Sequence, residues 1–170
     1  GWVWPLWQRR AMVPIVIQPA DPRSPGPRAL IDASGALMAR LYAAEDNHAL
    51  TPEALAAADI LFFVACGPDG QVLGTGALAR RDGYGEVKAM FTAPEARGRG
   101  VARALLQRLE TEARALRIPL LRLETGPELA AAVRLYEAAG FTPCGAFGDY
   151  ADTGASLFLE KHLEDSGCAE

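Results

Sequence analysis

The sequence predicts one mixed α/β domain whose central sheet is mostly antiparallel, has about six to seven strands and carries helices on both faces. Two patterns predict this fold. In the first half of the chain, short apolar runs alternate with tight turns, which is typical of an antiparallel meander. In the second half the order is strand, helix, strand, helix, strand, and this order requires a parallel strand pair in the middle of the sheet.

The first half is predicted to supply two helices and the meander. A helix over 28–44 has apolar residues on one side, although Gly35 weakens it and can split it. Thr51 followed by Pro52 is typical of a helix start, and Gly67-Pro68-Asp69-Gly70 is typical of a hairpin turn. The strands are predicted over 13–18, 60–65, 71–80 and onward from 84, with a proline-rich loop over 19–27.

The second half begins with a strand, a turn and a long helix over 86–109. Val87, Ala89 and Phe91 occupy alternate positions, which is the period of a strand. Two glycines leave the following turn open, so the first N–H groups and the positive dipole end of the helix are suited to a phosphate or pyrophosphate. The helix has an apolar face of Ala102, Leu105, Leu106, Leu109, Ala113 and Leu116, and an opposite face of Arg103, Gln107, Glu110 and Arg114.

The last third is predicted to hold a strand over 119–124, a second helix and two final strands. The second helix opens at Gly126-Pro127, and Leu129, Val133 and Tyr136 share its apolar side. Gly140 is placed as its C-cap. The final strands are predicted over 141–147 and 155–161, joined by a loop over 148–154.

Composition excludes several classes of protein. With 170 residues and a formal net charge of -4, the chain lacks the basic excess of a general nucleic-acid binder. Cys66, Cys144 and Cys168 form no spaced cluster, so neither a disulfide framework nor a zinc site is predicted, and reduced thiols in a cytoplasmic protein are expected. His48 and His162 are too scattered for a metal site.

The N-terminus has an unusual order, in which three tryptophans are followed by Arg9 and Arg10. A signal peptide would place its charges first. We therefore expect residues 1–12 to be an extension, either added for expression or arising from an upstream start, and an amphipathic membrane anchor is the alternative. No apolar run reaches the roughly 18 residues of a membrane span, so no membrane partner is expected; the domain is expected to cover 13–163, and a polar tail 164–170.

The glycine turn matches one known pattern and fails two others. A dinucleotide-binding fingerprint needs a glycine at position 103, and a P-loop needs Gly-Lys-Ser/Thr. Arg97, Gly100 and Ala102 satisfy [Q/R]-x-x-G-x-[G/A], which resembles the acetyl-CoA-binding signature of the GNAT superfamily of N-acetyltransferases. A plain glycine-rich helix start is the alternative for these few positions.

Two further features strengthen the resemblance. The stretch LYEAAGF over 135–141 is similar to a helix ending of the same superfamily, and Glu86 lies on the strand that leads into the turn, where many of its members have a general base. The resemblance covers roughly 13–163, and within the superfamily the sequence is most similar to small, mostly uncharacterised bacterial acetyltransferases. It implies the mixed sheet predicted above, with acetyl-CoA as cosubstrate and no metal.

The resemblance also implies roles for individual residues. The backbone amides of the turn would hold the pyrophosphate, the strand end would hold the pantetheine arm, and an amide near Met90 would polarise the thioester carbonyl. Glu86 would take the proton of the acceptor amine, and Tyr136 would protonate the departing thiolate. The cofactor-binding residues implied are Met90, Phe91, Thr92, Arg97, Gly98, Arg99, Gly100, Val101, Ala102 and Arg103.

Each role has a structural alternative. Glu86 could simply pair with Lys88 or an arginine, and Tyr136 could be a core tyrosine with a satisfied hydroxyl. Many superfamily members have an asparagine after the strand that ends near Thr125, and this chain has Gly126 there, which leaves that cofactor contact in doubt. The candidate acceptor-binding residues are Tyr42, Glu45, Glu124 and Tyr150.

The sequence thus predicts an N-acyltransferase that moves an acetyl group from acetyl-CoA to a primary amine of a small molecule or peptide, by direct transfer in a ternary complex. The competing hypothesis is a non-catalytic acyl-CoA-binding module on the same fold. The resemblance also implies that the domain can form a homodimer. The sequence does not identify the acceptor amine or the acyl-chain preference. It also leaves open whether the base is Glu86 or a water relay.

Overall fold

A computed structural model describes Pro5 and residues 14–163, so the predicted tail and, Pro5 apart, the predicted extension lie outside the described residues. Seven strands form one sheet in the order β1-β2-β3-β4-β5-β7-β6. The strands are β1 (Val16–Pro19), β2 (Ile60–Cys66), β3 (Val72–Arg80), β4 (Gly85–Thr92), β5 (Leu120–Thr125), β6 (Thr142–Pro143) and β7 (Leu157–His162). The α-helices of this part of the chain are α1 (Pro25–Leu41), α2 (Pro52–Leu55), α3 (Val101–Ala115) and α4 (Ala130–Ala138).

The sheet confirms the predicted topology. All neighbouring strands pair antiparallel except β4 and β5, which are parallel. This parallel pair is short, because only Gly85 pairs with Leu121 and Glu86 with Arg122. We call these two pairs the seam, since they join the β1–β4 half of the sheet to the β5–β7 half.

Helices cover both faces of the sheet, as predicted. Side chains alternate along β2, so that Phe63 packs in a cluster with Leu105 and Leu109 of α3. Phe62 points the other way and packs with Ile31 of α1 and Leu55 of α2. The larger cluster, on the α3 face, also contains the buried residues Val87, Leu121, Leu123, Tyr136, Phe141 and Leu159.

The helix α1 differs from its prediction at both ends. It begins at Pro25 rather than at 28, because proline lacks an N–H group that the first helical turn would leave unpaired in any case. It ends at Leu41 and continues unbroken through Gly35, where a side chain would meet no atom within 4 Å. The prediction that Gly35 can split this helix was wrong.

Two other predictions need correction. Glu110 was placed on the polar face of α3, but it is only 9% exposed, and its oxygens pair with Lys161 at 2.9 Å and with Arg114 at 3.6 Å. Its charge is therefore compensated inside the molecule. The strand predicted over 141–147 shrinks to Thr142–Pro143, followed by a single further backbone hydrogen bond to β7, from Cys144 N to Phe158 O at 2.9 Å. Within the described residues, no helix is both long and apolar enough to cross a membrane.

Candidate active site

The turn before α3 is open. Gly98 and Gly100 both have φ of 78°, a left-handed conformation that favours glycine, and a Cβ on either would meet no atom within 4 Å. The first helical hydrogen bond runs from Ala104 N to Gly100 O at 3.0 Å. The amides of Val101 and Ala102 precede that bond and point out of the helix end. This cradle fits the pyrophosphate that the sequence assigns to it.

The predicted cofactor residues of the turn divide by burial. Arg97, Gly98, Arg99, Gly100 and Arg103 are exposed and Ala102 is half-buried, so all six are open to a ligand. Val101 is 2% exposed and can offer only its backbone.

The other predicted cofactor residues lie where β4 separates from β5. Beyond the seam, β4 continues to pair with β3, since Phe91 faces Thr75 and Thr92 faces Gly74. The register shifts in between, and Ala89 adopts a φ of 55°. The Thr75 hydroxyl donates to the Ala89 carbonyl at 2.7 Å and holds this bulge.

A cavity of about 140 Å³ opens between the diverging strands. Its walls come from α1 and the loop after it, from β4 and β5, and from α4. Met90 lines the cavity, and β4 has no pairing with β5 beyond Glu86. Backbone groups on this edge of β4 are thereby left for a ligand to pair with.

Tyr136 lines the cavity from α4 and is 5% exposed. Burial raises the pKa of its hydroxyl, and the negative charge of Glu124 raises it further. Among the described residues the hydroxyl has no hydrogen-bond partner, while the ring packs edge-on against Phe141 at 5.8 Å. A protonated hydroxyl facing a cavity is the form that a general acid requires.

Glu86 lies on β4 at the seam and is 4% exposed. Its Oε1 accepts a hydrogen bond from Arg81 Nε at 3.3 Å. Its Oε2 accepts one from the Tyr150 hydroxyl and lies 3.5 Å from Lys88 Nζ. We call these four residues the Glu86 cluster. The pairing that the sequence allowed as an alternative is therefore present, and the catalytic role of Glu86 stays a prediction.

Two of the four candidate acceptor residues line the cavity, namely Tyr42 and Glu124. Glu45 is exposed on the short 3₁₀ helix Ala44–Asp46 and is not part of the lining. Tyr150 belongs to the Glu86 cluster, where it accepts a hydrogen bond from Lys88 Nζ at 2.8 Å. Burial raises the pKa of Tyr150, and its hydrogen bond to Glu86 raises it further.

Tyr42 crosses over Gly126 to reach the loop between β5 and α4. Its hydroxyl donates to Glu128 Oε2 at 2.8 Å, and a Cβ on Gly126 would lie 1.4 Å from that hydroxyl oxygen. Only glycine at 126 permits this contact. Burial raises the pKa of Tyr42, and the hydrogen bond to Glu128 raises it further.

Sequence reasoning missed several contributors to the site. Lys88 was considered only as a partner of Glu86, yet it also lines the cavity. Ser156 donates a hydrogen bond to Glu124 Oε2 at 2.6 Å, and Thr75 holds the bulge. Their types and spacing carry no signal, whereas the glycine at 126 did mark a departure from the related pattern.

No group of three His, Cys, Asp or Glu residues in the described part of the chain is arranged to hold a metal ion. Cys66 is buried and Cys144 is half-buried, and both thiols are free. Cys168 lies outside the described residues.

Comparison with known sequences gives a consistent result. The profile of the acetyltransferase (GNAT) family matches residues 31–141. A curated relative from Azospirillum brasilense, named IAA acetyltransferase, is 46% identical over 136 residues, which are 79% of this chain and 88% of the relative.

Solved structures agree on the fold. A Klebsiella pneumoniae protein named as a candidate acyl-CoA N-acyltransferase superposes with a TM-score of 0.75 and 32% identity, over 91% of this chain and 99% of its own. The Salmonella typhimurium protein yncA, a candidate acetyltransferase solved with its cofactor acetyl-CoA, superposes with a TM-score of 0.66 and 20% identity, over 92% of this chain and 98% of its own. At this identity the second likeness concerns the fold alone.

Proposed function

The chain belongs to the acetyltransferase (GNAT) family, and we propose that it transfers the acetyl group of acetyl-CoA to a primary amine of a small molecule or peptide. Family membership makes it an acetyltransferase that uses acetyl-CoA, so the hypothesis of a non-catalytic module is not pursued. The amine acceptor and the direct transfer within a ternary complex are the proposed parts.

One observation carries the proposal. The open glycine turn at the start of α3 and the unpaired edge of β4 are separated only by the short segment from Ala93 to Ala96. A ligand with a pyrophosphate at one end and an amide-bearing arm at the other can therefore bind both at once. The likeness of this fold to yncA, which was solved with acetyl-CoA, is consistent with that ligand.

The chain's own residues supply the remaining chemistry. Arg97 and Arg99 add positive charge beside the turn. A backbone N–H near Met90 is proposed to stabilise the oxyanion that forms when the amine attacks. Tyr136, whose raised pKa keeps its proton at neutral pH, is proposed to protonate the leaving thiolate. An amine must lose a proton to attack, so a base is also required, and the carboxylates of Glu86 and Glu124 are the candidates, directly or through a water.

Binding of acetyl-CoA tests the central part of the proposal. At a hundredfold excess over its dissociation constant, acetyl-CoA should stabilise the fold by about 2.7 kcal/mol. For a domain of this size each kcal/mol raises the unfolding midpoint by about 2 to 4 °C, so the midpoint should rise by about 5 to 11 °C, as measured by differential scanning fluorimetry. The absence of any shift at saturating acetyl-CoA would contradict the proposal.

A screen of amines, followed by release of free CoA thiol, identifies the acceptor. It should include amino acids, polyamines and aminoglycosides, together with IAA, the compound in the name of the Azospirillum relative. Transfer to a primary amine supports the proposal. Transfer only to an acceptor without an amine would leave the acetyltransferase in place and overturn its proposed acceptor class.

The homodimer, the cytoplasmic location, the absence of nucleic-acid and membrane partners and the domain limits at 13 and 163 stay predictions from the sequence.

A further inference from the structure

Two carboxylates near the seam could take a proton from the acceptor, and the structure places them differently. Both oxygens of Glu86 are occupied, Oε1 by Arg81 and Oε2 by Tyr150 and Lys88. At 4% exposure, Glu86 is also absent from the cavity lining. An amine in the cavity could reach it only after Tyr150 or Lys88 had moved.

Glu124 lies at the open end of β5 and lines the cavity directly. Its Oε2 accepts a hydrogen bond from Ser156, and its Oε1 has no partner among the described residues. No lysine or arginine among the described residues forms an ion pair with Glu124. A half-buried carboxylate without a cation is favourably compensated by a cationic ligand.

The charge of Glu124 acts across the cavity. It helps to raise the pKa of Tyr42, Tyr136 and Tyr150, although burial raises each of them more. For Tyr42 and Tyr150 the hydrogen bonds to Glu128 and Glu86 also raise the pKa more than Glu124 does. Lys88, the lysine of the lining, is already paired with Glu86 and hydrogen-bonded to Tyr150. The field that a ligand meets in the cavity is therefore negative near Glu124.

The lining of the cavity also includes aliphatic side chains. Ile31 and Met38 of α1, Leu50 of the following loop and Leu129 before α4 all line the cavity. The lining thus holds two carboxylates without an ion pair among the described residues, Glu124 and Asp46, beside aliphatic side chains. Such a cavity suits a molecule with an ammonium group on an apolar body.

We propose that Glu124, rather than Glu86, receives the ammonium group of the acceptor and takes its proton, and that the acceptor is a primary amine on an apolar body. This inference rests on the proposed function. Glu86 then has a positioning role, in which its cluster fixes Lys88 and Tyr150 beside the seam.

The proton balance of the step is complete. The acceptor ammonium gives one proton to the Glu124 carboxylate, which releases it to solvent through the mouth of the cavity. The free nitrogen lone pair forms the C–N bond to the acetyl carbonyl carbon, and the C–S bond then breaks. The leaving thiolate takes the Tyr136 proton, and the second proton lost by the nitrogen restores Tyr136.

The test compares two probes of similar shape and opposite charge, 2-phenylethylamine and 3-phenylpropionate. Their binding is measured by isothermal titration calorimetry to protein saturated with CoA, so that no transfer can occur. The variants are Glu124→Gln, Glu86→Gln and Asp46→Asn, the last because Asp46 is the other carboxylate of the lining and belongs to the 3₁₀ helix Ala44–Asp46. Tyr150→Phe replaces Glu86→Gln if that variant does not fold.

We expect wild-type protein to bind the amine at least about tenfold more tightly than the acid, because hydrogen bonds between charged groups are stronger than those between neutral ones. Glu124→Gln should remove that preference, while Glu86→Gln and Asp46→Asn should each change amine affinity less than about threefold. For the best amine of the screen, Glu124→Gln should also lower kcat about a hundredfold or more.

The inference is overturned if Glu124→Gln leaves amine affinity unchanged, or if another variant weakens amine affinity as much as Glu124→Gln does. It is also overturned if wild-type protein prefers the acid, or if it binds neither probe at millimolar concentration. These outcomes are separate from failure of the proposed function. If acetyl-CoA still raises the unfolding midpoint of every variant, the cosubstrate site is intact, and only the role proposed for Glu124 is wrong.

Discussion

Tyr136 keeps its proton because the surrounding core favours the neutral phenol. Its pKa is raised above the ordinary value of 10, first by burial and then by the charge of Glu124. The unfolded chain ionises this tyrosine near pH 10, while the folded chain holds the proton to a higher pH. Stability from this group is therefore fully present below pH 10 and is lost as the pH rises above it.

Replacement Tyr136→Phe should reduce this alkaline loss of stability. In wild-type protein the free energy of unfolding should fall by about 1.4 kcal/mol per pH unit above about pH 10 on account of Tyr136 alone. The variant lacks that contribution, whereas Tyr42 and Tyr150, whose pKa values are also raised, keep theirs. Urea unfolding at pH 8, 10 and 11 measures the difference.

Measurements at pH 8 are the control, because the tyrosines are protonated there in both states. If the free energy of unfolding fell equally steeply with pH in wild-type protein and in Tyr136→Phe, Tyr136 would not be a neutral buried phenol. The same substitution should slow acetyl transfer about a hundredfold or more if the hydroxyl is the general acid, and an unchanged rate would reduce Tyr136 to a core residue.

Single residues were predicted from sequence to different extents. Tyr136 and Glu124 both line the cavity, from the predicted helix and at the end of the predicted strand that carry them, and their roles stay predictions. The partners of Glu86 were only partly foreseeable. Arg81 is five residues away, but Tyr150 is 64 residues away, in a loop without regular structure. No local pattern reports such a contact.

At the scale of elements, the turn before α3 is the part most open to substitution. Gly100 is exposed and has free space around it, so a glutamate there costs little beyond its left-handed backbone, about 1 to 2 kcal/mol. Its negative charge would lie where the pyrophosphate is expected. Gly100→Glu should therefore abolish the thermal shift caused by acetyl-CoA and still leave a folded protein.

Gly83→Glu is the matched control. Gly83 has a φ of 82° and equally free surroundings, but it lies in the turn that joins β3 and β4 at the other end of those strands. The control should carry the same backbone cost and keep the full shift. A retained shift in Gly100→Glu would mean that the pyrophosphate binds elsewhere.

The order and type of the elements followed from local patterns, and their irregularities did not. The period of apolar residues predicted α3, α4 and the strands other than β6 within a few residues of their observed ends. The bulge at Ala89 was hidden, because Val87, Ala89 and Phe91 alternate as in a regular strand. It depends on the hydroxyl of Thr75 from the neighbouring strand, which is a tertiary contact that β4 alone does not encode.

The molecule as a whole consists of two half-sheets joined at the seam. Two residue pairs are a short backbone connection, and the Glu86 cluster adds a side-chain bridge, since Tyr150 follows β6 while Glu86 and Lys88 lie on β4. Tyr42 and Glu128 form a second bridge across the cavity. The hydrogen bonds between the halves are therefore few, and the cluster on the α3 face, which contains Val87 of one half and Leu121 of the other, also joins them.

Tyr150→Phe should loosen this connection. Losing a hydrogen bond to a buried carboxylate should lower the free energy of unfolding by about 1.5 to 3 kcal/mol. Hydrogen exchange of the amides of β4 and β5 around the seam should become faster. Denaturant unfolding and exchange measured by mass spectrometry check the two effects.

Tyr84→Phe serves as the control for this prediction. Tyr84 packs against Phe147 at 5.6 Å, in the same loop region, and its hydroxyl makes no hydrogen bond within the described residues. It should change stability by less than about 0.5 kcal/mol. Equal effects of the two substitutions would show that the cluster does not hold the halves together.

The contact between Tyr42 and Gly126 also has a consequence for the evolution of this family. Because a Cβ at 126 would lie 1.4 Å from the Tyr42 hydroxyl oxygen, the two positions cannot both carry a full side chain in this arrangement. Related sequences with a tyrosine at 42 should therefore have glycine at 126, and those with a larger residue at 126 should have a smaller one at 42. Mutational drift at either position is constrained by the other, so the two should change together along a lineage.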